Sequence, residues 1–172
     1  QKTRGIEIGE MAAAAILARR VQDGSAHPEM RVGIDFITQR GAGFWRQDPI
    51  SLIPLALGAR WQEVQPFVIE SAEQFRIPPP PALNSPEYTA AYNEVKALGG
   101  DGINTPTLRT KEQTEIGIFW AYDGTPSLCA PPRLYNQIAV HIAEQMGTSD
   151  LELMRLLAVL NTAMADAAIA SW

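Results

Sequence analysis

From Leu151 to Trp172 the chain places leucine, isoleucine, valine, methionine and alanine on almost every side of a helical wheel, interrupted only by Glu152, Arg155, Asn161, Thr162 and Asp166. A helix that is apolar all round needs neighbours on several sides, so this segment predicts a helical bundle larger than one or two elements. Ser149-Asp150-Leu151-Glu152 opens it with a capping box. No glycine, proline or basic residue closes it before Trp172, and the expectation is the front part of a longer protein whose C-terminal half lies beyond this chain. The five polar interruptions keep any run short of the ~20 apolar residues that a bilayer span requires, so no membrane partner is expected.

The remainder of the chain is compatible with that expectation. Its 172 residues are 46% apolar and 19% charged, with 14 Lys+Arg against 19 Asp+Glu for a net charge of -5. A chain of about 100–200 residues usually forms one domain and buries enough surface to fold without metal or disulfide staples. Residues 1–172 therefore read as part of a single helical domain. A pI near 5.0 with scattered basic residues offers no footprint for nucleic acid. Cys129 is the sole cysteine, which excludes an internal disulfide and a paired-cysteine zinc site but leaves a bridge between subunits open. Lys2 and Arg4 lead into an amphipathic segment, not into the apolar run of a secretory signal.

Along the chain, Ile6 to Ala18 is rich in strong helix formers and stops at Asp23-Gly24-Ser25. Residues 25–60 are punctuated by glycine and proline and hold no period, so they read as irregular covering chain. Trp61 to Phe75 predicts a short helix in which Pro66 must sit in the first turn. The Pro-rich spacer 77–86 is stiff, and Ser85-Pro86 starts a helix that Leu98 and Gly99-Gly100-Asp101-Gly102 end through the left-handed tolerance of glycine. Thr110-Lys111-Glu112-Gln113 opens a helix ending near Asp123-Gly124. Pro131-Pro132 primes another, with Leu134, Ile138, Ile142 and Met146 on one stripe, His141 beside them and Gly147 as its stop. No segment alternates as a strand, so the fold class is all-α.

Chemistry-bearing residues are sparse. His141 and Glu144 share a helix face, but the Glu-x-x-His pairs of di-metal bundles are absent, and His141 reads as a hydrogen-bonded packing histidine, not a metal ligand. His27 precedes Pro28 and reads as a turn residue. Gly41-Ala42-Gly43 lacks the third glycine and the strand and helix of a dinucleotide fingerprint. Asp101-Gly102-Ile103-Asn104 lacks the alternating carboxylates of a calcium loop. Trp45, Trp61, Phe119 and Trp120 are expected in the core. Arg155, Thr162 and Asp166 form one polar stripe through the last helix, and a buried Asp166 needs a hydroxyl, an amide or an arginine from another helix. Its role is either a satisfied buried network or support beside an active site.

Several segments, taken in order, resemble the vanadium-dependent haloperoxidases, particularly the bacterial and cyanobacterial ones. They are Ile8-Gly9-Glu10-Met11, Phe44-Trp45-Arg46-Gln47-Asp48-Pro49, Phe119-Trp120-Ala121-Tyr122-Asp123-Gly124, Pro131-Pro132-Arg133-Leu134-Tyr135-Asn136-Gln137-Ile138 and Asp166-Ala167-Ala168-Ile169-Ala170-Ser171-Trp172. The likeness is most specific from Tyr88 onward, and no single piece is a catalytic signature. It implies an enzyme of bromoperoxidase type that oxidises bromide or iodide with hydrogen peroxide to hypohalous acid, using vanadate, and that assembles as a homo-oligomer. The family's oxyanion pocket comes from Lys-x6-Arg-Pro, Pro-Ser-Gly-His and Arg-x5-His segments. None of them occurs here. By resemblance the lysine follows three residues beyond Trp172, so vanadate would be bound by residues outside this chain, which alone should be inactive. Trp172 resembles a tryptophan lining the pocket, and Asp166 would support it from behind. An acid phosphatase of the same superfamily and a non-catalytic helical scaffold or assembly module are the alternative readings.

Overall fold

The structure is a computed structural model that describes residues 2–121 and 131–172. Five helices dominate it: α1 Lys2–Arg20, α2 Pro86–Leu98, α3 Lys111–Trp120, α4 Pro131–Met146 and α5 Asp150–Ser171. Among the described residues the one ladder is β1 Met30–Arg31 against β2 Leu55–Ala56, antiparallel, with Met30 opposite Ala56 and Arg31 opposite Leu55. Two-residue strands are too short to write an alternation into the sequence, and the fold is all-α in substance. The chain divides into two compact units, residues 1–77 with 165–172 and residues 78–164. The boundary falls inside α5, after Met164.

In the second unit the helix ends follow local chemistry. The Ser85 hydroxyl accepts the Tyr88 amide at 3.1 Å with Pro86 in the first turn. Thr110 and Gln113 exchange both bonds of a capping box. Gly147, at φ 64, closes α4 while the Thr148 amide reaches back to the Ala143 carbonyl at 2.9 Å, a Schellman ending. Ser149 and Glu152 cap α5 reciprocally. The end of α2 differs from expectation, since Gly99 stays right-handed at φ -81. The left-handed residue is Gly102 at φ 75. Gly100 is needed for room instead, because a Cβ there would lie 2.1 Å from the Pro106 carbonyl oxygen.

Also in this unit, α4 and α5 are joined by a reciprocal amide pair. Asn136 and Asn161 each donate to the other's Oδ1 at 2.9 Å, and each sends its second N–H to a carbonyl four residues back, Pro132 at 2.6 Å and Leu157 at 2.7 Å. The buried positions of α4 are Ala139 and Ala143, whereas Ile138, Ile142 and Met146 of the expected stripe are exposed. His141 is likewise exposed, its Nε2 3.0 Å from Gln145 Nε2. In α5, Leu151, Met154, Leu156 and Val159 are open to solvent while Leu153, Leu157 and Leu160 are half-buried, so the helix expected to be buried on several sides is fully buried only towards its C-terminal end, at Asp166 and Ile169. By length and a mean hydropathy of 1.5, α5 could cross a membrane. A helix packed within a larger soluble fold passes the same test.

In the first unit the small core is Val64, Ala72 and Ile169, with Trp61 packed against it. The helix expected over Trp61 to Phe75 shortens to a single 3-10 turn, Trp61–Glu63. Pro66 has no amide to continue it, and the following amides are claimed by a side chain from α5. Of the aromatics expected inside, only Trp61 packs on this core. Trp45, Phe119 and Trp120 are exposed, the last two edge to face at 5.2 Å.

Candidate functional site

The two residues singled out in α5 both fall in the first unit, at the end of that helix. Asp166, 5% exposed, accepts three consecutive backbone amides: Phe67 at 2.6 Å, Val68 at 2.8 Å and Ile69 at 3.1 Å. Three N–H groups aimed at one carboxylate form an anion nest, and here the anion is the protein's own. Burial by itself raises the Asp166 pKa, but the amides of Phe67, Ile69 and Val68, with the Arg20 charge nearby, outweigh it and hold the carboxyl below its usual range.

The same 66–69 segment is gripped from α1. Arg20 donates to the Pro66 carbonyl at 3.2 Å and lies 3.9 Å from the centroid of the Phe67 ring. Its Nε meets Asp23 at 2.5 Å. Asp23, also buried, takes the Ser25 amide at 2.9 Å, while its carbonyl accepts the Gln65 amide at 2.7 Å. The Ser25 hydrogen bond, against the opposing cost of burial and with help from Arg20, keeps the Asp23 carboxyl low. The expected stripe of Arg155, Thr162 and Asp166 does not act as one network. Arg155 is exposed and the Thr162 hydroxyl bonds back to Ala158, so Asp166 alone is buried, and its partners are loop amides.

Six residues further on, Trp172 is 57% exposed yet closely placed. Its Nε1 donates to the Leu57 carbonyl at 3.4 Å. Below it lies Gly58, at φ 70, where a Cβ would come within 2.1 Å of the indole Nε1. The Gly58 amide in turn donates to Glu29 at 2.8 Å. Beside the indole opens a recess of about 400 Å³ whose walls include Phe36, Trp45, Ala56 and Leu57. Phe36 and Trp45 meet edge to face at 5.2 Å and 81°.

The remaining candidates stay apart. Asp101 accepts the amides of Thr105, Ile103 and Asn104 and the Asn104 side chain, which together lower its pKa to about 2 and occupy both oxygens in a turn, not in a calcium loop. His27 lies 3.8 Å from Glu63. Gly41 and Gly43 occupy turns at positive φ with no helix after them. Cys129, Ser127 and the predicted end of α3 at Asp123-Gly124 lie outside the described residues. Among the described residues no three His, Cys, Asp or Glu side chains gather as a metal group.

An oxyanion such as vanadate needs several Lys, Arg or His donors converging in a dry pocket. Arg20, Arg31, Arg60 and Arg76 each face a local carboxylate, and Arg109 bonds to the Leu98 carbonyl and the Thr114 hydroxyl. Their charge is already matched. Among the described residues these five guanidinium groups are engaged by local partners and are not the free convergent donors such a site needs.

Comparison with known proteins gives the following. The chain is 35% identical over an aligned stretch of 114 residues, 59% of this chain, to the vanadium chloroperoxidase of Curvularia inaequalis. The likeness is to a vanadium haloperoxidase. The match spans 19% of that relative's length. No family model matches the chain, and no solved structure matches it at the same standard.

The sequence reading missed Arg20, Asp23, Glu29, Gly58 and the Asn136–Asn161 pair. Asn161 carried a usable signal, an amide on an otherwise apolar helix that requires a partner. Arg20, Glu29 and Gly58 did not, because their contacts reach across 29 to 46 positions of chain, and the Asp23 carbonyl likewise meets the distant Gln65 amide.

Proposed function

We propose that this chain is the N-terminal part of a vanadium-dependent haloperoxidase of bromoperoxidase type, which oxidises bromide or iodide with hydrogen peroxide to hypohalous acid. The observation that carries the reading is the 35% identity over 114 residues to a vanadium chloroperoxidase. The order of the resembling segments, ending in Asp166 to Trp172, supports it. Vanadate would be held by residues outside this chain, since none of the family's three oxyanion-binding segments occurs in this sequence.

On this reading the chain's own part is architectural. Asp166 fixes the end of α5 to the 66–69 segment through three charge-assisted bonds. The indole of Trp172 then stands over Gly58 as one wall of the pocket. A wall of this kind excludes water, which strengthens electrostatic stabilisation wherever the anion site lies. A large homo-oligomer completes the proposal.

The decisive experiment uses the intact protein that carries this chain, with and without added vanadate. It compares peroxide-dependent halogenation of a phenolic dye in iodide, bromide and chloride with release of phosphate from an aryl phosphate. Vanadate-dependent bromination and iodination are expected. Phosphate release alone would replace the reading by an acid phosphatase, and neither activity would leave a helical scaffold. Translation of the gene past Trp172 adds an independent check: a lysine near the third following position, then Arg-Pro at the family spacing, is expected.

A further inference from the structure

The recess beside Trp172 differs from an ordinary gap between loops in three respects. Its volume of about 400 Å³ lies within the usual range of small-molecule cavities. Three of the residues that line it are aromatic, Phe36, Trp45 and Trp172, and they remain 46% and 57% exposed at Trp45 and Trp172 although each ring would gain by burial. None of the lining residues is ionisable. An anion or a cation entering it would lose hydration and find no opposite charge, so the recess rejects charged species.

The walls are also held in place. Phe36 and Trp45 brace each other edge to face. The indole of Trp172 rests on Gly58, a position where any side chain would displace it, and the Gly58 amide is tied to Glu29. Placement fixed beforehand reduces the ordering cost of binding. Two indole N–H groups belong to the wall, those of Trp45 and Trp172, and the bond of the Trp172 Nε1–H to the Leu57 carbonyl is long at 3.4 Å.

We propose that this recess is a binding site for a small, uncharged, planar aromatic molecule, stacked or edge-packed among Phe36, Trp45 and Trp172. The inference goes beyond the haloperoxidase reading, because the binding requires neither vanadate nor peroxide.

The test uses the intact protein without vanadate or peroxide and measures binding of indole and phenol by calorimetry and ligand-observed magnetic resonance. Cyclohexanol serves as a non-aromatic probe and benzoate as a charged one. Saturable binding of indole is expected, at least fivefold tighter than cyclohexanol or benzoate. Phe36→Leu and Trp45→Leu, which remove a ring while keeping an apolar side chain, are each expected to weaken it at least threefold. Ile103→Ala, an exposed position of the other unit, should leave it unchanged. Absence of saturable indole binding, as when the longer protein fills the recess with its own chain, overturns the proposal. So does binding that ignores both ring substitutions or fails to prefer the neutral ring. Loss of halide oxidation with binding intact would instead overturn only the preceding reading.

Discussion

At the scale of the residue, Asp166 concentrates the most interaction in the fewest atoms. Asp166→Asn keeps the shape but turns an amide N–H toward backbone N–H groups, leaving at least one buried donor unpaired. A cost of about 2–3 kcal/mol is expected, read as a lower denaturation midpoint followed through Trp61. The pH dependence follows from the directions of the shifts. Asp166 and Asp23 both titrate lower when folded than the ordinary aspartate value of about 3.9. Their stabilisation is therefore complete above roughly pH 5 and is lost as pH falls through the folded values. Acid unfolding of the first unit is expected below about pH 4, and Asp166→Asn should flatten the stability profile across that window. Gly58→Ala is the complementary probe, since it strains a φ of 70 and pushes into the indole. Its expected signature is a shift in tryptophan emission that Gly5→Ala, with open space around it, does not give.

At the scale of the element, the sequence and the structure agree where the cause is local and part where it is not. Ser85, Thr110, Ser149 and Gly147 end or begin helices as read, because a cap satisfies its donors within three or four residues. Removing the Ser149 hydroxyl with Ser149→Ala should cost about 1 kcal/mol, measured by thermal unfolding. The segment after Trp61 has helix-forming residues but is not helical, since its amides serve Asp166, about a hundred positions away. Leu134 to Met146 kept its period, yet the buried positions are two alanines. The Asn136–Asn161 pair predicts energetic coupling: the two alanine substitutions together should cost about 0.5–1 kcal/mol less than the sum of each alone, as a double-mutant cycle would measure.

For the chain as a whole, exposed large apolar side chains are common to both units. They lie on α1, α4 and α5 and also on the segments between the helices. On the proposed reading the rest of the protein covers this surface. The 172-residue chain expressed alone is expected to bind a hydrophobic dye strongly and to sediment with concentration-dependent mass. The intact protein should bind the dye at least several-fold less, and equal binding by both would count against the reading.

By itself the sequence determined the five long helices and the caps at Ser85, Thr110 and Ser149 with the stop at Gly147, the need of Asp166 for a partner and the likeness to the haloperoxidases. Those properties reside in residues three to four positions apart, or in ordered short segments. Only the tertiary structure decided that the partners of Asp166 are the amides of Phe67, Val68 and Ile69, that Trp172 lies over Gly58, and that Phe36 and Trp45 face the same recess. Each of these joins distant stretches of chain through backbone groups or open space, and neither leaves a periodic mark in the order of side chains.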